Sequence, residues 1–122
     1  MRQSFTAVLE RNRTLSGEFT TEPYEAAWAG EARWFVRTLE RQGAGTHLKV
    51  TTQVSPDGLY WCDLEPSRTV SGELDTWSSA EFGGWLRLKG TVEPGTGADA
   101  STGASTDGEP SVKVLIYLAL KA

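Results

Sequence analysis

The stretch Ser111-Val112-Lys113-Val114-Leu115-Ile116-Tyr117-Leu118-Ala119-Leu120-Lys121 decides the fold. Val112, Val114, Ile116, Leu118 and Leu120 fall on one side of an extended chain, with Lys113, Leu115, Tyr117, Ala119 and Lys121 on the other. Successive side chains of a strand point to opposite faces. The pattern is therefore a long strand with an apolar inner face and a partly covered outer one.

The same period of two recurs upstream. Phe5, Ala7 and Leu9 alternate with polar neighbours and predict a strand from Gln3 to Arg11. Asn12-Arg13 reads as a short polar break. Leu15, Gly17 and Phe19 then form a hairpin partner over Thr14 to Thr20. Leu48, Val50, Thr52 and Val54 mark a strand from Thr46 to Ser55 that runs into the turn Ser55-Pro56-Asp57-Gly58. There Pro56 presets φ and Gly58 accepts a positive one. Leu59 to Leu64 reads as the return strand. Val70 and Leu74 mark a short strand before Asp75-Thr76, and Phe82 to Lys89 a strand bent or bulged at Gly83 and Gly84.

Pro23 to Gln42 carries two patterns. Trp28, Ala32, Phe35 and Leu39 have helical spacing, with Pro23 placed to start a helix and Gly43 to stop it. Arg33-Trp34-Phe35-Val36-Arg37-Thr38-Leu39, however, is aromatic and β-branched and leads through Gly43-Ala44-Gly45 directly into a strand. A strand from Ala32 to Arg41 is expected, with a helical turn near Glu25 to Ala29. Residues 95–108 hold no large apolar side chain and no Lys or Arg, which predicts a flexible Gly/Ser/Thr-rich loop between the last two strands. About eight short strands separated by turns make an all-β chain, a single-domain antiparallel β-sandwich of jelly-roll-like form over residues 1–122.

Composition narrows the functions. A chain of 122 residues and 13.3 kDa is one domain with room for a core that needs no metal or disulfide staple. Twelve Lys and Arg against sixteen Asp and Glu leave a net charge of −4. That balance disfavours nucleic acid and anionic membranes as partners. The charge is also uneven: the first 50 residues sum to +1 and the remainder to −5, which reads as a solvated acidic face. The N-terminal residues alternate polar and apolar side chains without the apolar core of a secretory signal, so cytoplasmic synthesis is expected. No run approaches the roughly 18 apolar residues of a membrane span.

Catalytic groups are sparse. The lone Cys62 and lone His47 exclude thiolate zinc sites and His-rich metal sites. A Cys62–His47 pair on neighbouring strands would need a third group to orient it. A single cysteine inside a strand is more often a small buried hydrophobe. Asp63 with Glu65, or Glu73 with Asp75, would set two carboxylates about 7 Å apart on one face of a strand, where solvated strand ends explain them better. Asp99 and Asp107 lack the ligand spacing of a calcium loop, and the Gly-x-Gly pieces do not join a strand to a helix. No cofactor and no enzymatic activity are expected.

Five tryptophans in 122 residues are the unusual feature. Trp34 and Trp61 lie in expected strands and read as core. Trp28 and Trp77, beside turn-like or small-residue stretches, and Trp85 read as surface candidates for a protein interface or for stacking on sugar rings.

The run from Gly43-Ala44-Gly45-Thr46 through Gln53-Val54-Ser55-Pro56-Asp57-Gly58 to Tyr60-Trp61 resembles a pattern of small β-sandwich structural and decoration proteins of tailed phages. In them a Gly-Thr tip precedes an alternating strand ending in Gln-x-Ser-x-Asp-Gly and an aromatic. Gly84-Trp85-Leu86-Arg87-Leu88-Lys89-Gly90 and the closing Val-x-Val-x-Ile-x-Leu strand look similar too, and the matched parts cover about half the chain. The resemblance implies a non-catalytic structural subunit, a building block or decoration protein of a virion or phage-like assembly. Such a subunit would form homo-oligomers or dock on a larger particle. The alternative is a carbohydrate-binding module using exposed tryptophans.

Overall fold

The computed structural model describes residues 4–95 and 110–122. Its spine is β10 (Ser111–Lys121), whose five alternating aliphatics are at most 1% exposed. Burying a face this apolar requires strands on both sides and a second sheet beneath. β10 pairs antiparallel with β1 (Ser4–Leu15) on one side and β4 (Glu31–Gln42) on the other, and β8 (Leu74–Ser79) lies outside β4.

The second sheet is centred on β5 (His47–Ser55) and β9 (Trp85–Glu93), paired over nine residues. β2 (Glu18–Thr20) and β3 (Tyr24–Glu25) follow one another along the free edge of β9. β6 (Cys62–Asp63) and β7 (Arg68–Val70) do the same along β5. The ten strands thus occupy eight tracks. The first track pairs with the last, the second with the last but one, and so on inward to the neighbouring pair formed by β5 with β6 and β7. This nesting is a jelly roll.

Several boundaries differ from the sequence reading. Asn12-Arg13 is a bulge within β1, with Asn12 at φ 52°, rather than the tip of a hairpin. The bulge lets Arg13 donate to Glu10 Oε2 at 2.9 Å and to the Thr20 carbonyl at 3.0 Å. The buried Glu10 carboxylate also accepts the Glu22 backbone N–H at 3.0 Å. Two charges and the incoming β2 segment are satisfied together, and β2 pairs with β9 instead of β1. Pro23 to Gln42 holds no helix, only β3, a turn near Trp28, and β4. The expected loop at residues 95–108 lies outside the described residues except for Gly95.

β8 runs through Asp75-Thr76 to Ser79 instead of stopping there. That single extension corrects the reading of Trp77. It occupies an inward position of β8, is 5% exposed, and stacks on fully buried Trp34 with ring centroids 6.3 Å apart. Its Nε1 donates to Thr52 Oγ1 at 3.3 Å, as Trp34 Nε1 does to Ser79 Oγ at 3.1 Å, so both indoles are paired inside the core. The return strand is the converse case. Only Cys62-Asp63 pairs with β5; Trp61 is half-buried and Cys62 exposed, not the small core residue expected.

Candidate functional site

Strand direction sorts the connections between the two ends of the sandwich. The segments joining β3 to β4, β5 to β6 and β8 to β9 all lie at one end, because Glu25, Ser55 and Trp85 are cross-strand partners there. The pairing of Ser4 with Lys121 brings the start of β1 and the end of β10 to the same end. Seven of the twelve aromatic residues collect there: Phe5, Tyr24, Trp28, Tyr60, Trp61, Phe82 and Trp85. At the opposite end, the described connections Ser16-Gly17, residues 43–46 and residues 71–73 contain none.

Each loop is held by its own chemistry. Between β3 and β4, Ala26 and Ala29 are buried and joined by a 3.1 Å bond from the Ala29 N–H to the Ala26 carbonyl. Ala27 donates its N–H to Glu25 Oε2 at 3.0 Å. The two alanines hold the turn inward, and Trp28 is left 39% exposed. Phe5 of β1 and Tyr24 of β3 stack at 6.3 Å, spanning the two sheets.

The loop after β5 is held by a network of hydrogen bonds from Ser55 and Asp57. Ser55 Oγ accepts the N–H of Gly58 at 2.8 Å and of Asp57 at 3.2 Å, and donates to Asp57 Oδ1 at 3.0 Å. Asp57 Oδ1 in turn accepts the N–H groups of Leu59 and Tyr60. These bonds to Leu59, then Tyr60, hold the Asp57 carboxyl below its ordinary pKa of 3.8. The result is a rigid turn whose tip, Leu59-Tyr60, is 77% exposed at each residue.

Two glycines let the loops close. Gly58 (φ +81°) lies flat against the Trp85 indole, whose nearest atoms would sit 3.4 Å from an added Cβ. Gly84 (φ +80°) faces the Ser55 carbonyl so closely that a Cβ would overlap it. Trp85 is therefore half-buried between the two loops, and Trp61 is covered on one face by the Arg87 guanidinium at 4.2 Å. Arg87 Nε donates to Gln53 Oε1 and Gln53 Nε2 to Asp63 Oδ1, each at 2.9 Å.

Of the expected surface candidates, Trp28 and Trp85 come together at this end and Trp77 does not. Leu59 and Tyr60 lie outside any strand, although their apolar character reads as the start of the return strand. The signal was Asp57, whose short carboxylate can capture N–H groups two and three residues on and so prolong the loop. His47 and Cys62 sit at opposite ends of β5, His47 accompanied by Glu93 at 3.3 Å, and do not form a pair. Asp63 and Glu65 are engaged separately, by Gln53 and by the Ser79 hydroxyl at 3.0 Å. Asp75 accepts the Gly72 N–H at 3.0 Å.

No protein-family model and no curated protein matches this chain. Among solved structures, it is similar to a chain in the structure of infectious bursal disease virus Gx strain. The TM-score is 0.54 and the identity 12%, over 98% of this chain and 32% of that one. The chain thus spans about a third of the length of its viral counterpart. The crystal structure of FlhE gives a TM-score of 0.40 at 14% identity, covering 99% of this chain and 95% of that one. Dimeric latent PorU from Porphyromonas gingivalis gives 0.31 at 12%, covering 98% and 10%. The likeness to the virus structure is one of fold. It meets the sequence resemblance at that coarse level, with nothing specific to tailed phages.

Proposed function

We propose that this protein is a non-catalytic building block of a protein assembly of the virion type, which associates with further copies of itself through its aromatic end. The observation that carries the reading is the Leu59-Tyr60 tip, where two large side chains are held in water by a loop that spends several hydrogen bonds on fixing them. Burying each such side chain is worth about 1.5–3 kcal/mol, and a loop already ordered loses little entropy on docking. Half-buried Trp85 packs against Gly58 beside the tip, and Trp28 adds exposed aromatic area at the same end of the sandwich. The fold shared with a chain of a virus structure supports the assembly class by analogy alone.

Light scattering on a sizing column tests it. The wild-type chain should show a concentration-dependent mass above that of the monomer, and Leu59→Ser/Tyr60→Ser should run as a monomer with an unchanged melting temperature. A wild-type protein that stays monomeric at its highest soluble concentration would overturn the reading, as would a double variant that assembles normally.

A further inference from the structure

The outer face of the second sheet has a hollow of about 260 Å³ over β5 and β9. Its floor is Thr51, Gln53 and Thr91, with Ser67 beside them. Two cations, Lys49 and Lys89, and two anions, Glu18 and Asp63, surround the floor. We propose that this hollow binds a neutral oligosaccharide, seating a sugar unit by its hydroxyl groups.

Charge and chemistry select that ligand class. A phosphate or nucleic acid would meet two carboxylates, a metal cation two ammonium groups, and the balanced set favours neither. An apolar ligand would find no apolar side chain in the lining. A sugar hydroxyl both donates and accepts, and carboxylate, ammonium, amide and hydroxyl groups all line this one hollow.

The array is also ordered in advance. Thr51 and Ser67 share a hydroxyl–hydroxyl bond of 2.7 Å, and Asp63 is held by Gln53, itself held by Arg87 against Trp61. Side chains locked by one another keep their positions without further loss of rotamer freedom on binding. The volume lies below the roughly 300–1,000 Å³ of drug-sized pockets, which matches one seated sugar unit of a longer chain.

Amide shift mapping with maltohexaose, cellohexaose and chitohexaose tests the inference. At least one should give saturable shifts at residues of β5, β6 and β9, with a Kd on the order of 1 mM. Thr51→Lys places a long side chain in the hollow and should weaken binding about tenfold or more. Asp63→Asn keeps the shape and removes the charged acceptor; it should weaken binding too, and it carries the test if Thr51→Lys disturbs the spectrum. Three silent titrations overturn the site. So do shifts confined to the aromatic end around Trp28 and Trp85, or unchanged affinity in the well-folded variants. The hollow contains neither Leu59 nor Tyr60, so these results are independent of self-association.

Discussion

Oδ1 of Asp57 accepts the backbone N–H of Tyr60 at 3.1 Å, three residues further along the chain. The same oxygen takes the Leu59 N–H at 2.9 Å, so one carboxylate oxygen fixes the direction in which both exposed side chains leave the sandwich. The order of the Leu59-Tyr60 tip thereby depends on a charge.

That dependence sets a pH window. The bonds from Leu59 and Tyr60 lower the Asp57 pKa in the folded state below 3.8. A depressed carboxylate contributes stability that is complete above the unfolded-state pKa and is lost as pH falls through the folded one. The Leu59 and Tyr60 amide resonances should therefore be constant at neutral pH and move together in acid, with a shared midpoint below 3.8. In Asp57→Ala this titration should vanish, and self-association should be weaker than in wild type at neutral pH, the difference narrowing as wild-type Asp57 is protonated. Amide shifts recorded against pH check both outcomes.

Trp28 and Trp77 should separate cleanly. Trp77→Ala removes a buried ring that stacks on Trp34 and lies beneath the Arg68 guanidinium at 4.6 Å. Urea unfolding should show a loss of about 3–5 kcal/mol, the range for large aromatic truncations in cores. Trp28→Ala should stay within about 0.5 kcal/mol of wild type, as surface changes do, while reducing association.

Gly84→Ala should be costly for its size. The new methyl group would meet the Ser55 carbonyl, and φ is +80°. A loss of about 2 kcal/mol or more is expected, read as a lower urea midpoint with unchanged slope. Gly83, with nothing near its added Cβ and no positive φ, should tolerate alanine.

Cys62 should react in the native state. It is exposed beside the β5–β6 pairing, so a thiol reagent without denaturant should titrate its single sulfur completely. Full reaction only after unfolding would contradict the placement of β6.

Most of the fold was legible because burial imposes a period of two. Val112 to Leu120 and Leu48 to Thr52 read as strands from residue order alone, and Gly58 marked a tight turn, whereas the strand expected from Phe82 begins only at Trp85, after Gly83 and Gly84 have turned the chain. Pattern failed where a local exception satisfied charge or backbone. Arg13 and Glu10 turned an apparent hairpin tip into a bulge, and Asp57 kept Leu59-Tyr60 out of the sheet. The site was less legible than the fold. Trp28 and Trp85 could be nominated, but that they share one end of the sandwich with Tyr60 depends on pairings between residues far apart in the chain.

The sequence by itself determined that this chain is an antiparallel sandwich unusually rich in tryptophan, since alternation and composition are properties of residue order. Tertiary structure alone decided which aromatics are surface. The nesting of first track on last brings Ser4 to Lys121 and Glu25 to Trp85, gathering three aromatic loops at one end. Trp77 and Trp28 differ only in whether the neighbouring backbone continues as a strand or turns, and long-range pairing sets that: Trp77 lies opposite Trp34 in β4, and Trp28 has no cross-strand partner.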